Sequence, residues 1–232
     1  MRSSIENLNR AEIRTDPFPH IVKRNALDPA LFQELVSEFP NLDQFPGNTD
    51  GSNIRLTLPI CDAANSEHVT PLWHDFLKAH ADRDHLLGWV DLFSDQIKSH
   101  YPAAAKFVDN AEKLSVGVKG QDATDKTHVT LSSSIDANTP VTDGPTSVRG
   151  PHVDNPTKLL VALLYLRDES ESEGGDLQLY RLKPGRSLEE SVLPGCHFRD
   201  EAVEHVSTVR YEPNTLFVWM NSAQSIHGVS PR

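Results

Sequence analysis

Apolar residues recur at helical spacing through the first half of this chain and at strand spacing through the second. Asp28-Pro29, followed by Phe32, Leu35, Val36 and Phe39, predicts an amphipathic helix with Asp28 as N-cap, proline in the first turn and Pro40 just past its end. Thr70-Pro71 opens a second helix whose Trp73, Phe76, Leu77 and His80 share a face. A third, from about Asp82 to His100, turns Leu86, Leu87, Val90, Phe93 and Ile97 inward and stops before Pro102. Residues 40–66, rich in Asn, Asp, Gly and Pro, read as a loop with one strand candidate, Asn53–Leu58, and Pro17–Val22 reads as an entry strand.

From Glu112 the period shortens. Lys113–Val118 alternates and Thr127–Ile135 follows; Asp176–Leu182, Val206–Tyr211, Thr215–Met220 and Ser225–Val229 are further strand candidates. The near-continuous run Leu159–Leu166 predicts a buried strand. Residues 136–150 and 183–204 are polar loops, the first in a natural place for a substrate lid. Short strands with turn signals between them suggest a sandwich or barrel. One domain over 1–232 is expected, with a helical flank at about 17–111 and a sheet-rich core at about 112–232.

Composition narrows the partners. The net charge is -11 and Lys and Arg form no cluster, which argues against binding nucleic acid through its phosphates. Cys61 and Cys196 sit in unrelated contexts and suggest no disulfide framework. No signal-peptide core and no membrane-length apolar run is present, so the expectation is a cytoplasmic protein acting away from membranes.

The candidate chemistry sits in Arg149-Gly150-Pro151-His152-Val153-Asp154-Asn155-Pro156. Two residues apart on a strand, an imidazole and a carboxylate point to one face and can hold one metal ion. A distant histidine should complete the set, and His227 follows the apolar run Leu216–Met220. Two histidines and a carboxylate make the facial triad of non-haem Fe(II) oxygenases, which leaves positions open for cosubstrate and dioxygen. The bland alternative has His152 capping a loop and Asp154 starting a turn. A second such tripeptide, His80-Ala81-Asp82, lies between helical patterns, where that spacing does not share a face. His74, His80, His85 and His100 read as surface or packed residues, His20 as a surface or strand-end residue, and His197 and His205 as lacking a metal partner at the right spacing.

These residues resemble the 2-oxoglutarate and Fe(II)-dependent dioxygenases, in particular their prolyl 4-hydroxylase-like branch. The likeness runs over about residues 112–232, through His152-Val153-Asp154-Asn155-Pro156, Tyr165-Leu166, Gly174-Gly175-Asp176-Leu177, Pro213 with Phe217, and His227-Gly228-Val229-Ser230-Pro231, with a weaker one at Asp16–Val22. It implies a mainly β fold with flanking α: a double-stranded β-helix, or jelly roll, with N-terminal helices packed on it. It implies His152, Asp154 and His227 as iron ligands and Tyr165 as a contact of 2-oxoglutarate. Fe(II), 2-oxoglutarate and O2 are the expected cofactor and cosubstrates, with ascorbate as an accessory reductant. Such enzymes place a Lys or Arg further beyond the last histidine than this chain extends. Either Arg232 serves, or a closing segment carrying that residue follows; Lys158 and Arg149 are the alternatives. The function implied is hydroxylation of an aliphatic C–H bond of a small molecule such as an amino acid. Peptidyl-prolyl hydroxylation of a protein and a cupin-like metal-binding protein without oxygenase activity stay open beside it.

Overall fold

The computed structural model describes all residues except Met1, Arg2, Ser3, Glu6, Glu169, Ser170 and Ser172, and the side chain of Thr124 is left out as well. The sequence reading of those positions lies outside the described residues. In chain order the strands are β1 (His20–Arg24), β2 (Arg55–Pro59), β3 (Val116–Val118), β4 (Val129–Leu131), β5 (Ser134–Asn138), β6 (Leu160–Tyr165), β7 (Leu177–Leu182), β8 (Val192–Leu193), β9 (His197–Phe198), β10 (Val203–Val209), β11 (Thr215–Met220) and β12 (His227–Val229). Contacts divide the chain into two units, Met1–Arg10 with Leu27–Pro140, and Ala11–Ala26 with Val141–Arg232. The sequence sets the change from helical to sheet-rich chain at about residue 111. The contacts set the division at Pro140, because β2 pairs antiparallel with β5 and β3 runs parallel to β4 inside the helical unit.

In that first unit Asp28 and Thr70 cap the helices as the sequence predicts, and Asp82, where the third helix is expected to begin, is its N-cap. The Asp28 carboxylate accepts from the backbone N–H of Ala30 and Leu31 at the start of helix Pro29–Ser37, Thr70 caps Pro71–Ala79, and Asp82 caps Arg83–Leu92. Trp73 Nε1 donates to Leu35 O at 3.2 Å and ties the first two of these helices together. The helix expected over 82–100 is two, Arg83–Leu92 and Ser94–His100, broken at Phe93, whose ψ of 16° leaves the helical range. Ser94 and Asp95 then restart it, residues that favour helix beginnings over interiors.

Half-buried His80 and buried His85 and Trp89 form a ladder of rings in this unit. His80 Nδ1–H donates to Phe76 O at 2.7 Å, and His85 Nε2 accepts from Trp89 Nε1 at 2.7 Å. Burial lowers both histidines, His85 to about 3 with His80 as a second cause, while Asp82 opposes the shift in each. Both are therefore neutral when folded but protonate near 6.5 once unfolded, so unfolding takes up protons between about pH 3 and pH 6.5. Stability should fall as pH drops through that window. Urea midpoints measured from pH 7 to pH 4 should show the slope, and His85→Gln, which keeps an acceptor for Trp89, should flatten it; an unchanged slope would mean that His85 is not responsible.

The second unit is built on two antiparallel sheets. One has the order β1-β11-β6 and the other β10-β7-β12. Between them lie Phe18, Leu177, Leu179, Val209, Phe217 and Trp219, with Val161, Leu163 and Tyr165 packed alongside. Burying side chains of this size stabilises by about 1.5–3 kcal/mol each. All six residues of central β11 are buried. The run expected to be a buried strand, β6, is instead an edge strand with one exposed and five half-buried residues, because only its alternate side chains reach the core. His20, expected near the surface, is 2% exposed: β1 pairs with β11 and lays its ring against Phe18 and Phe217. Residues 183–204 are not one loop, since helix Leu188–Ser191, β8 and β9 lie there and β10 begins at Val203.

The outer side of β12 is covered by residues 146–152. Thr146 and Arg232 exchange backbone hydrogen bonds at 3.2 and 3.0 Å, Val229 N donates to Arg149 O at 2.9 Å, and His152 and His227 exchange bonds at 2.8 and 2.9 Å. The Gly174-Gly175 turn packs against Pro231 and Arg232, with φ values of 91° and 79°. A Cβ on Gly174 would meet Pro231 O at 2.0 Å, a contact with backbone that no side-chain rotation relieves. Gly174→Ala should therefore destabilise by about 1–3 kcal/mol in a urea titration, and a cost near zero would contradict this packing.

Candidate metal centre

Backbone pairing brings the sequence-predicted ligands together. His227 opens β12 opposite Leu179, so it faces the core between the sheets, where its ring stands edge-on to Trp219 at 4.8 Å. His152 is held beside it by their two mutual backbone bonds, and the rings lie 4.3 Å apart. Asp154 follows on the same segment, which carries only isolated bridges at His152 where the sequence suggests a strand. One ligand atom from each of His152, Asp154 and His227 lies within 4.8 Å of the others, and the residues are 4%, 8% and 4% exposed.

Protonation suits a cation. His152 Nδ1 lies 2.9 Å from Gly150 O and His227 Nδ1 lies 2.8 Å from Ser225 O. A carbonyl only accepts, so both rings carry their proton on Nδ1 and keep the Nε2 lone pair free for a metal. Burial lowers both imidazoles, His152 to about 3, with the neighbouring His227 as its second cause. For Asp154 burial works upward, but Lys158, by its charge and its hydrogen bond, together with the neighbouring His227 and His152, outweighs it and the pKa is lowered. Near neutral pH the set is two neutral imidazoles and one carboxylate, a donor set that divalent transition metals accept. These residues fit a divalent metal ion, ferrous iron among them.

Asp154 is approached by two cations. Lys158 Nζ donates to Oδ2 at 3.2 Å, and Arg149 Nη1 lies 3.7 Å from Oδ1, the oxygen nearer His152 Nε2 at 3.9 Å. Tyr165 and Arg232, the other two residues considered for a cosubstrate, are brought elsewhere in this unit, to Tyr211. The Tyr165 ring stands edge-on to Tyr211 at 5.0 Å, and Arg232 acts on Tyr211 electrostatically. Burial, then Tyr211 and Asp176, raises the Tyr165 hydroxyl. Tyr165 lies four positions from Val161, the partner of Trp219, which is about 13 Å along the strand.

One organising residue escaped the sequence reading. Asn221 is 2% exposed, and its Nδ2 donates to the carbonyls of Asn155 and Lys158 at 3.0 Å each. Its Oδ1 accepts from Ser225 Oγ at 3.1 Å. It clamps the turn after Asp154 to the turn before His227. The one signal available was an asparagine directly after six consecutive buried strand positions. Asn221→Leu should leave the part-buried Lys158 carbonyl without its side-chain donor and take one of two donors from Asn155 O, which keeps Lys158 N at 3.0 Å. It should cost about 1–3 kcal/mol and weaken metal binding about tenfold; calorimetric Mn(II) titration beside urea unfolding measures both, and wild-type metal affinity would remove Asn221 from the centre.

A depression of about 320 Å³ lined by Gly150, Pro151, Gln178, Tyr180, Asp200 and Val203 lies beside the ligand segment, but none of the three ligands lines it. Among the described residues no helix is long and apolar enough to cross a membrane. No protein-family model, no curated protein and no solved structure matches this chain.

Proposed function

We propose that this protein is a non-haem Fe(II) and 2-oxoglutarate-dependent dioxygenase that hydroxylates an aliphatic C–H bond of a small molecule. The observation that carries the reading is the buried His152-Asp154-His227 group, with both Nε2 lone pairs turned free by backbone acceptors. Two packed antiparallel sheets, with the ligands contributed by the segments at 150–154 and 227–229, are in keeping with a double-stranded β-helix. When bound, iron would activate dioxygen, which is the oxidant; 2-oxoglutarate would give up two electrons in becoming succinate and carbon dioxide, and the substrate C–H bond the other two.

The chain's own part is positional. His152 and His227 offer neutral nitrogens in fixed orientation, and Asp154 offers one carboxylate. Lys158 and Arg149 surround that carboxylate with more positive charge than it cancels, which favours anionic ligands and supports a carboxylate-bearing substrate such as an amino acid. Incubation with Fe(II), ascorbate and 2-oxoglutarate carrying a labelled C1 carboxylate should release labelled carbon dioxide slowly without substrate and faster with the right one. Peptides containing proline, run in the same screen, test the protein-substrate alternative. Metal binding with no decarboxylation under any condition would favour the cupin-like reading.

A further inference from the structure

His197 lacks a metal partner at ligand spacing in the sequence, yet strand pairing sets it in line with the two ligand imidazoles. His152 bridges antiparallel to His227 on one side and to His197 on the other. Residues directly opposite on antiparallel strands project from the same face. The three histidines therefore form a row across neighbouring segments, on the face that buries His227 against Trp219. The His152–His197 pair is flanked by Val153 N donating to Cys196 O at 3.0 Å and Phe198 N to Pro151 O at 2.8 Å. It is thus the non-hydrogen-bonded kind, in which side chains stand closer.

His197 sits beside the metal position and not on it. Its ring centroid is 5.9 Å from that of His152, against 4.3 Å between His152 and His227, and it is outside the group whose ligand atoms converge. Its placement depends on an unusual turn. Gly195 and Cys196 both adopt left-handed backbone, φ 76° and 63°, and a Cβ on Gly195 would stand 3.3 Å from His197 Cδ2. A non-glycine residue in that region is uncommon and marks a position held by its surroundings. Half-buried, the His197 side chain has no hydrogen-bond partner of its own among the described residues.

The local charge says what it would meet. Among the described residues, the charged groups acting on the triad are Asp154, Arg149 and Lys158, one anion against two cations, before a divalent ion adds to the excess. A ligand that settles there is favoured by negative charge. We propose that His197 is a positioning residue of this centre, donating a hydrogen bond to a carboxylate oxygen of the molecule bound beside the metal. The inference rests on the metal-centre reading above. The carboxylate can belong to 2-oxoglutarate or to the substrate.

The test uses the whole chain loaded with Co(II), whose visible absorption reports both metal uptake and ligand binding. Wild type, His197→Ala and His197→Gln are titrated with Co(II), then with 2-oxoglutarate, and finally with acetate in the presence of saturating 2-oxoglutarate. Co(II) affinity should stay within about twofold in both variants, which also shows that they fold, while one carboxylate arm weakens by about tenfold or more in His197→Ala. Glutamine, which keeps an N–H donor, should restore part of that loss. A loss in the 2-oxoglutarate arm assigns His197 to the cosubstrate, and one in the acetate arm alone assigns it to the substrate. Unchanged affinity in both arms overturns the proposal, as does a glutamine variant no better than alanine. A parallel fall in Co(II) affinity would make His197 a ligand instead. A wild type that takes up no Co(II) removes the centre itself, a failure visible before any variant is compared.

Discussion

His227→Ala is expected to weaken Mn(II) binding by at least about a hundredfold while leaving the chain folded. Replacing a mere supporting partner of a metal ligand already costs 10–100-fold, and His227 is a proposed ligand. Its Nε2 is one of two neutral nitrogens offered, and the remaining pair, His152 and Asp154, comes from one short segment. Its removal should be tolerated by the fold, because its backbone bonds to His152 do not need the side chain. Asp154→Asn is a useful companion, since it keeps the shape and removes the charge that attracts the ion. Calorimetric titration of Mn(II), with urea unfolding as a control, measures the effect. Full metal affinity in His227→Ala would place the ion elsewhere.

Trp219→Ala should be the most destabilising single change, at about 3–5 kcal/mol. Trp219 is 1% exposed on central β11, stacked on Phe217 at 5.0 Å and edge-on to His227 at 4.8 Å. Alanine there would open a cavity between the two sheets and remove the ring against which His227 is set. Trp219 Nε1 is also buried without a hydrogen-bond partner among the described residues, so Trp219→Phe loses volume but relieves an unsatisfied donor. Phenylalanine should therefore cost much less than alanine, by urea titration of the three chains. Equal costs would mean that the cavity does not dominate.

The group His152, Asp154 and His227 that could hold a metal was legible in the sequence because its signal is local. His152 and Asp154 declare themselves by spacing, and His227 by following an apolar strand run. Helix beginnings were legible for the same reason, since Asp28, Thr70 and Asp82 cap helices through bonds to residues two or three positions away. What depended on distant pairing was not. The run at Leu160–Tyr165 is as apolar as Thr215–Met220, and only sheet order makes the first an edge and the second a centre. His20 is buried because β1 adds to β11, far away in sequence. Asn221 and His197 matter through partners that no spacing rule links to them. The four candidates for the cosubstrate carboxylate looked alike as cations or hydroxyls in sequence. Only the fold separates Lys158 and Arg149, at Asp154, from Tyr165 and Arg232, at Tyr211.

The most direct test of the central claim is an anaerobic titration of the metal-free protein with Fe(II) and then 2-oxoglutarate, followed by visible absorption. Chelation of ferrous iron by a 2-oxo acid gives a charge-transfer band, and the account expects that band to form stoichiometrically in wild type and to be absent in His227→Ala. Stoichiometric Fe(II) binding with no band on saturation with 2-oxoglutarate would contradict the dioxygenase reading and leave a metal-binding protein of another kind.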